Sequence, residues 1–206
     1  MSAAYFNAAI PEPFRILGLT LKPLSLGRYR LLKRFDVAFV ADEATKGGVS
    51  DLILGLLICS MRVDEFVTWA NSKSFARDVR RWSRSLCRFP ILGFLPWYGK
   101  RWREKHSFNI VEKMGLFGAY ISQHTKVPSY WDETQSDTTS AAHWSQSLDV
   151  LLRSELGWTN EEINEEPLSK ALSDGFKLAE NKGQVRLMTD QELQMIAELE
   201  KANNGA

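Results

Sequence analysis

The sequence predicts an all-α protein: a helical bundle around a buried central helix, with an extended N-terminal arm and a smaller C-terminal helical part. Three observations carry that prediction. Residues 52–59 (LILGLLIC) form an eight-residue apolar run broken only by Gly55. Such a run falls far short of the about 20 residues a bilayer span takes, and a helix apolar on every side is normally buried on every side. Elsewhere, apolar residues recur at spacings of three and four. Helix-start signals stand where those patterns begin: Ser25, Ser50 or Asp51, Thr159 with Glu162, and Thr189 with Glu192.

Residues 1–23 hold Pro11, Pro13 and Pro23 and the alternation Leu17, Leu19, Leu21. Proline pushes its predecessor out of helical geometry, and alternation marks extended chain, so this part reads as the arm, with room for a short strand. Ser25 caps a helix with Leu26, Tyr29, Leu32 and Phe35 on one face and Arg28, Arg30, Lys33 and Arg34 on the others. Residues 42–49 read as a loop, and the central helix over 50–59 comes next. Asp64 is placed to cap a separate helix over DEFVTWANS.

Ser74 starts the next helix, in which Phe75, Val79, Trp82, Leu86 and Phe89 form the narrow seam of helix-on-helix packing. Arg77, Arg80, Arg81, Arg84 and Arg88 occupy its other faces. Pro90 ends it, and PILGFLPWYG is an apolar connector. A helix over 100–124 places Ile110, Val111, Met114, Phe117, Gly118 and Ile121 on one stripe.

The polar stretch 126–140 (KVPSYWDETQSDTTS) reads as a linker. It divides an N-terminal helical core domain with its arm, 1–125, from an acidic C-terminal helical region, 141–206. In the latter, Ala141, Trp144, Leu148, Leu151, Leu152 and Leu156 mark a helix ended by Gly157. Thr159 and Glu162 make a capping box for a short acidic helix, and Pro167 suits the first turn of the next. That helix carries Leu168, Ala171, Leu172, Phe176 and Ala179 on one face, with Gly183 past its end. Thr189 and Glu192 open the last helix, and the final residues 203–206 are expected to fray.

With 206 residues, 44% of them hydrophobic, and 7 Trp and 11 Phe, the chain has ample material for a core. MSAAYFNAAIPEPFR shows neither a basic nor an apolar leader region, so no secretory signal is expected. Cys59 and Cys87 read as reduced, buried thiols of a cytosolic protein. The net charge is only +1 but unevenly spread. Residues 62–105 carry eleven Lys/Arg against four acids, and residues 132–200 carry fifteen acids against five bases. Opposite signs favour docking of the two parts or ordered self-association; differing solvated faces are the plainer reading.

His106, His124 and His143 fall on different segments with no carboxylate or Cys at ligand spacing, and no nucleophile, metal or phosphate-binding motif is present. The pairs Glu161-Glu162 and Glu165-Glu166 are explained by capping and by the helix dipole. No enzymatic activity, catalytic residue, cofactor or metal is expected. The mix of bases and aromatics in 77–88 and 100–103 has the composition of a nucleic-acid site, but Trp82 belongs to the seam and the sequence pI is about 7.8. Nucleic acid and membrane are therefore not the expected partners. Protein binding remains, with Trp97, Tyr98 and Trp102 as anchor-type residues beside Leu95, Pro96 and Gly99. Closing the bottom of the core is an equal use for them.

The string LDVLLRSELGWTNEEINEEPLSKALSDGFKLAE, residues 148–180, resembles small helical proteins encoded among bacteriophage tail genes. There, a helix ends in Gly-Trp-Thr, as at Gly157, Trp158 and Thr159. A short acidic helix comes after it, then a helix opening as Pro167-Leu168 does. Residues 16–39 and the apolar helix ending in Cys59-Ser60 are similar to proteins of the same gene neighbourhood. The named family is the tail assembly chaperones of long-tailed phages and prophages; the match covers about a third of the chain, and the basic middle section has no counterpart. The resemblance implies a non-enzymatic protein of the host cytoplasm. It would bind the tape measure protein, assist tail tube assembly and leave before the virion is complete. A structural virion component, such as a head–tail connector or tail protein, is the alternative, with a nucleic-acid-binding protein ranked below it, and a homo-oligomer is compatible with either phage role. For such a role the expected partner-binding residues are Trp97, Tyr98 and Trp102, with a second, acidic face at Glu161, Glu162, Glu165 and Glu166.

Overall fold

The computed structural model describes residues 14–17, 19–40, 48–80, 110–127, 129–132 and 143–204. Among them the protein is mostly helical, with two small two-stranded antiparallel sheets. The first sheet is a hairpin, β1 (Arg15–Ile16) and β2 (Leu19–Thr20), whose Ile16 is buried. The chain stays extended to Ser25, burying Leu21 and Leu24 on the way.

Ser25 then caps α1 (Leu26–Arg34), its hydroxyl accepting from the amide of Arg28. After a 3₁₀ turn at Ala38–Val40 comes α2 (Val49–Ser60), in which Leu52, Ile53 and Gly55 to Cys59 are all buried. Its cap is Gly48 rather than Ser50 or Asp51, because the Asp51 carboxylate reaches back one turn to accept the Gly48 amide at 2.6 Å. Gly55 inside the apolar run has a packing reason: a Cβ there would come within 2.7 Å of the Phe117 ring. Arg62 rather than Asp64 precedes α3 (Val63–Ala70), and Asp64 sits in its first turn, where a negative charge suits the helix dipole. Residues 75–80 are helical, and Phe75 joins Phe35, Phe66 and Trp69 in an aromatic cluster with ring centroids 4.8–6.1 Å apart. The rest of the Trp82, Leu86, Phe89 seam lies outside the described residues.

Helix α4 (Ile110–Thr125) buries Phe117, Tyr120, Ile121 and His124. The stripe read from the sequence is therefore rotated: Val111 is exposed, and the polar-tipped Tyr120 and His124 take the inner face. The phenol of Tyr120 can be buried because it donates to the Lys22 carbonyl at 2.7 Å. Strand β3 (Tyr130–Asp132) pairs with β4 (Val185–Leu187), placing Tyr130 opposite Leu187 and Trp131 opposite Arg186. Part of the stretch read as a linker is thus strand.

Helix α5 (Trp144–Ser154) starts at a His143 cap, and Gly157 stands past its end at φ 68°. The short α6 (Asn160–Glu165) and α7 (Leu168–Asn181) come next, then β4 and α8 (Asp190–Asn204). Helix α8 runs through Asn204, into the part expected to fray. α6 packs on α1, α5 on α1 and α7, and α4 on α2 and α7. Leu148, Leu152, Ile163, Leu168 and Leu172 belong to the same buried cluster as Ile16, Leu32, Leu56 and Phe66. The described N- and C-terminal segments share one core.

Candidate functional site

The acidic helix α6 is the expected site that falls within the described residues. Its start is fixed locally: the Thr159 hydroxyl accepts the Glu162 amide, and the Glu162 carboxylate accepts the Thr159 amide at 2.7 Å. The Thr159 amide, and after it the Thr159 hydroxyl, donate to the Glu162 carboxylate and hold it below the ordinary glutamate range. Glu161 is exposed and faces the Arg62 guanidinium at 3.2 Å. Glu166 pairs with Lys170 one turn along at 3.0 Å, and the same ammonium lies over the Trp158 ring, 5.3 Å from its centroid.

Glu165 sits apart from these surface pairs. One of its oxygens receives Arg28 Nη2 at 2.5 Å, and the other accepts the Val63 amide at 3.1 Å. Arg28 itself is fully buried. Its guanidinium also donates to the Met61 carbonyl through Nε and Nη2, and to Pro23 O and Ser25 Oγ through Nη1. A buried charge is tolerable when paired and saturated with hydrogen bonds, and Arg28 meets that condition. Around it, the Ser25 hydroxyl donates to the Asn164 carbonyl, and the Leu168 amide donates to Leu24 O at 2.6 Å. Gly27 is the close-approach point, since a Cβ there would collide with Asn164. The arrangement ties the entry of α1, the end of α2, the start of α3 and, through Glu165, the end of α6 to one guanidinium.

Sequence reading put Arg28 on an outer face of its helix and missed this hub. Its signals, a buried arginine one turn after a cap and a glycine between them, acquire meaning only once Glu165 is brought across 137 residues. The three aromatic anchors, Trp97, Tyr98 and Trp102, lie outside the described residues, as do His106 and Cys87.

Among the described residues, the thiol of Cys59 and the imidazole of His124 are enclosed. Burial pushes the Cys59 thiol up to about 12, with the Tyr120 hydroxyl and the Arg28 charge pulling weakly the other way, so the thiol stays protonated. His124 is buried, with Nδ1 2.8 Å from the Tyr120 carbonyl and Nε2 without a partner among the described residues. Desolvation lowers its pKa, opposed by that backbone contact. His143 serves as a helix cap. Among the described residues no group of three His, Cys, Asp or Glu side chains could hold a metal ion, and no helix is long and apolar enough to cross a membrane.

No family model, curated protein or solved structure matches the chain. What the described acidic helix can do physically is dock α6 onto α1 through Glu165, with Glu161, Glu162 and Glu166 spread over the solvent side.

Proposed function

We propose that this chain is a non-enzymatic adaptor of phage tail assembly, a chaperone that binds the tape measure protein in the host cytoplasm and assists tail tube assembly. The resemblance of residues 148–180 to helical proteins of phage tail genes carries the reading. The engagement of the acids of α6 in capping and ion pairing supports the non-enzymatic part, since none is held apart as a general acid or base would be. In this reading Val49–Ser60 is the central helix, residues 1–23 are an arm over it, and the acidic region 141–206 is its smaller helical part. Trp97, Tyr98 and Trp102 are the anchors that receive an amphipathic client helix, and Glu161 supplies exposed charge that orients it.

Co-expression with the tape measure protein encoded beside it is expected to raise that protein's solubility. Trp97→Ala with Trp102→Ala removes the effect while leaving the thermal melt unchanged, hot-spot aromatics being worth about 2 kcal/mol or more each. A client that stays insoluble beside the wild-type chain contradicts the reading. Mass spectrometry of purified particles separates the alternative: a fixed copy number in finished virions makes the chain a structural component.

A further inference from the structure

We propose that the outer face of the β3–β4 pair and the free ridge of α8 form one docking surface, and that its occupant is a basic amphipathic helix of another protein. Antiparallel pairing sets Trp131 and Arg186 side by side on one face of the two-stranded sheet. The Arg186 guanidinium reaches Glu192 in the first turn of α8 at 2.7 Å, which joins the sheet to the helix. Met195 stands three residues beyond Glu192, and Leu199 four beyond Met195, the spacings that place side chains on one helix face. Trp131, Met195 and Leu199 are 44%, 67% and 62% exposed. Leu193 and Ile196, turned further toward the protein, are half-buried. An aromatic, a methionine and a leucine left in water along two joined elements form the kind of surface that accepts an apolar helix stripe, methionine adapting to its shape.

Charge selects the occupant. Glu198 and Glu200 are exposed on α8, with no ion-pair partner among the described residues, and Lys201 is the helix's single base. A second copy of this helix would set the same acids against them. A helix with Lys or Arg flanking its apolar stripe meets them with opposite sign, and that attraction weakens with salt. The proposal is independent of the tail-assembly reading.

The test uses the full chain and two fluorescein-labelled synthetic helices carrying the same leucine stripe, one with lysines and one with glutamates on the polar face. In fluorescence anisotropy the lysine peptide binds the wild-type chain, and Met195→Ser with Leu199→Ser weakens it about tenfold or more. Trp131→Ala weakens it as well, and Glu198→Lys with Glu200→Lys shifts preference toward the glutamate peptide. These side chains are exposed, so unchanged thermal melts are expected and are checked in parallel. No binding by the wild-type chain overturns the proposal. So does equal binding of both peptides, or binding indifferent to the Met195 and Leu199 changes. Sedimentation showing a wild-type dimer that these changes dissociate assigns the surface to self-association instead. Trp97 and Trp102 are untouched throughout, so this result and the client-solubility result fail or stand separately.

Discussion

Helices α6 and α8 open with the same device. Thr159 and Glu162 in the first, and Thr189 and Glu192 in the second, exchange the same three hydrogen bonds at 2.7–3.3 Å. Beyond the first turn the two helices diverge. The six-residue α6 is far too short to hold helical form alone, yet it buries Ile163 and sends Glu165 to the buried Arg28. The fifteen-residue α8 has length enough but leaves Met195 and Leu199 in solvent. The capping box decides where a helix begins, and tertiary contact decides whether it belongs to the cooperative core.

The largest effect expected is at the hub. Glu165→Gln removes the carboxylate from a fully buried guanidinium, at an expected cost of about 3 kcal/mol or more in denaturant unfolding. Leu56→Ala or Leu57→Ala on α2 falls in the same class, about 2–5 kcal/mol for a buried leucine and its cavity. A loss below about 1 kcal/mol at Glu165 means α6 is not anchored through Arg28, and the contrast with α8 collapses.

The paired caps sharpen the comparison. Thr159→Ala is expected to lower global stability by about 1 kcal/mol, because α6 unfolds with the core. The chemically identical Thr189→Ala shifts the global transition by less than about 0.5 kcal/mol, its cost being confined to local fraying of α8. Equal shifts would make α8 part of the same cooperative unit.

A smaller effect separates core from surface by pH. His124 is buried with its pKa lowered below 6.5, chiefly by desolvation. The unfolded chain therefore takes up a proton more readily than the folded one, and stability declines as pH falls through about 6.5, levelling once the pH is below the folded value. His124→Phe flattens that slope between about pH 7.5 and 5.5, above the range where carboxylates titrate. An unchanged slope would place the proton uptake elsewhere.

Much of this fold was legible because local chemistry wrote it. Ser25, Thr159 and Thr189 each cap the helix expected, the run 52–59 buries every residue but the half-buried Leu54, and Gly157 and Gly183 stand past helix ends at positive φ. What escaped was set by distance along the chain. The β3–β4 pair joins Tyr130 to Leu187, two three-residue strands whose pairing no local pattern announces. Arg28 looked like a surface base because arginine is rarely buried, and only Glu165 together with the Met61 and Pro23 carbonyls makes its burial tolerable. Of the expected site residues, Glu162 was legible as a cap, and Glu165 was legible as an acid but not as the partner of a buried charge.

Hydrogen exchange monitored by mass spectrometry tests the central claim most directly, that α6 is welded into the core through Arg28 while α8 stands outside it. Amides of α1, α2 and α6 are expected to exchange together through global unfolding, and amides beyond the first turn of α8 to exchange about a hundredfold faster or more. Glu165→Gln then accelerates α6 and leaves α8 unchanged. Exchange of α8 as slow as that of α1, or of α6 as fast as that of α8 in the wild-type chain, would contradict it.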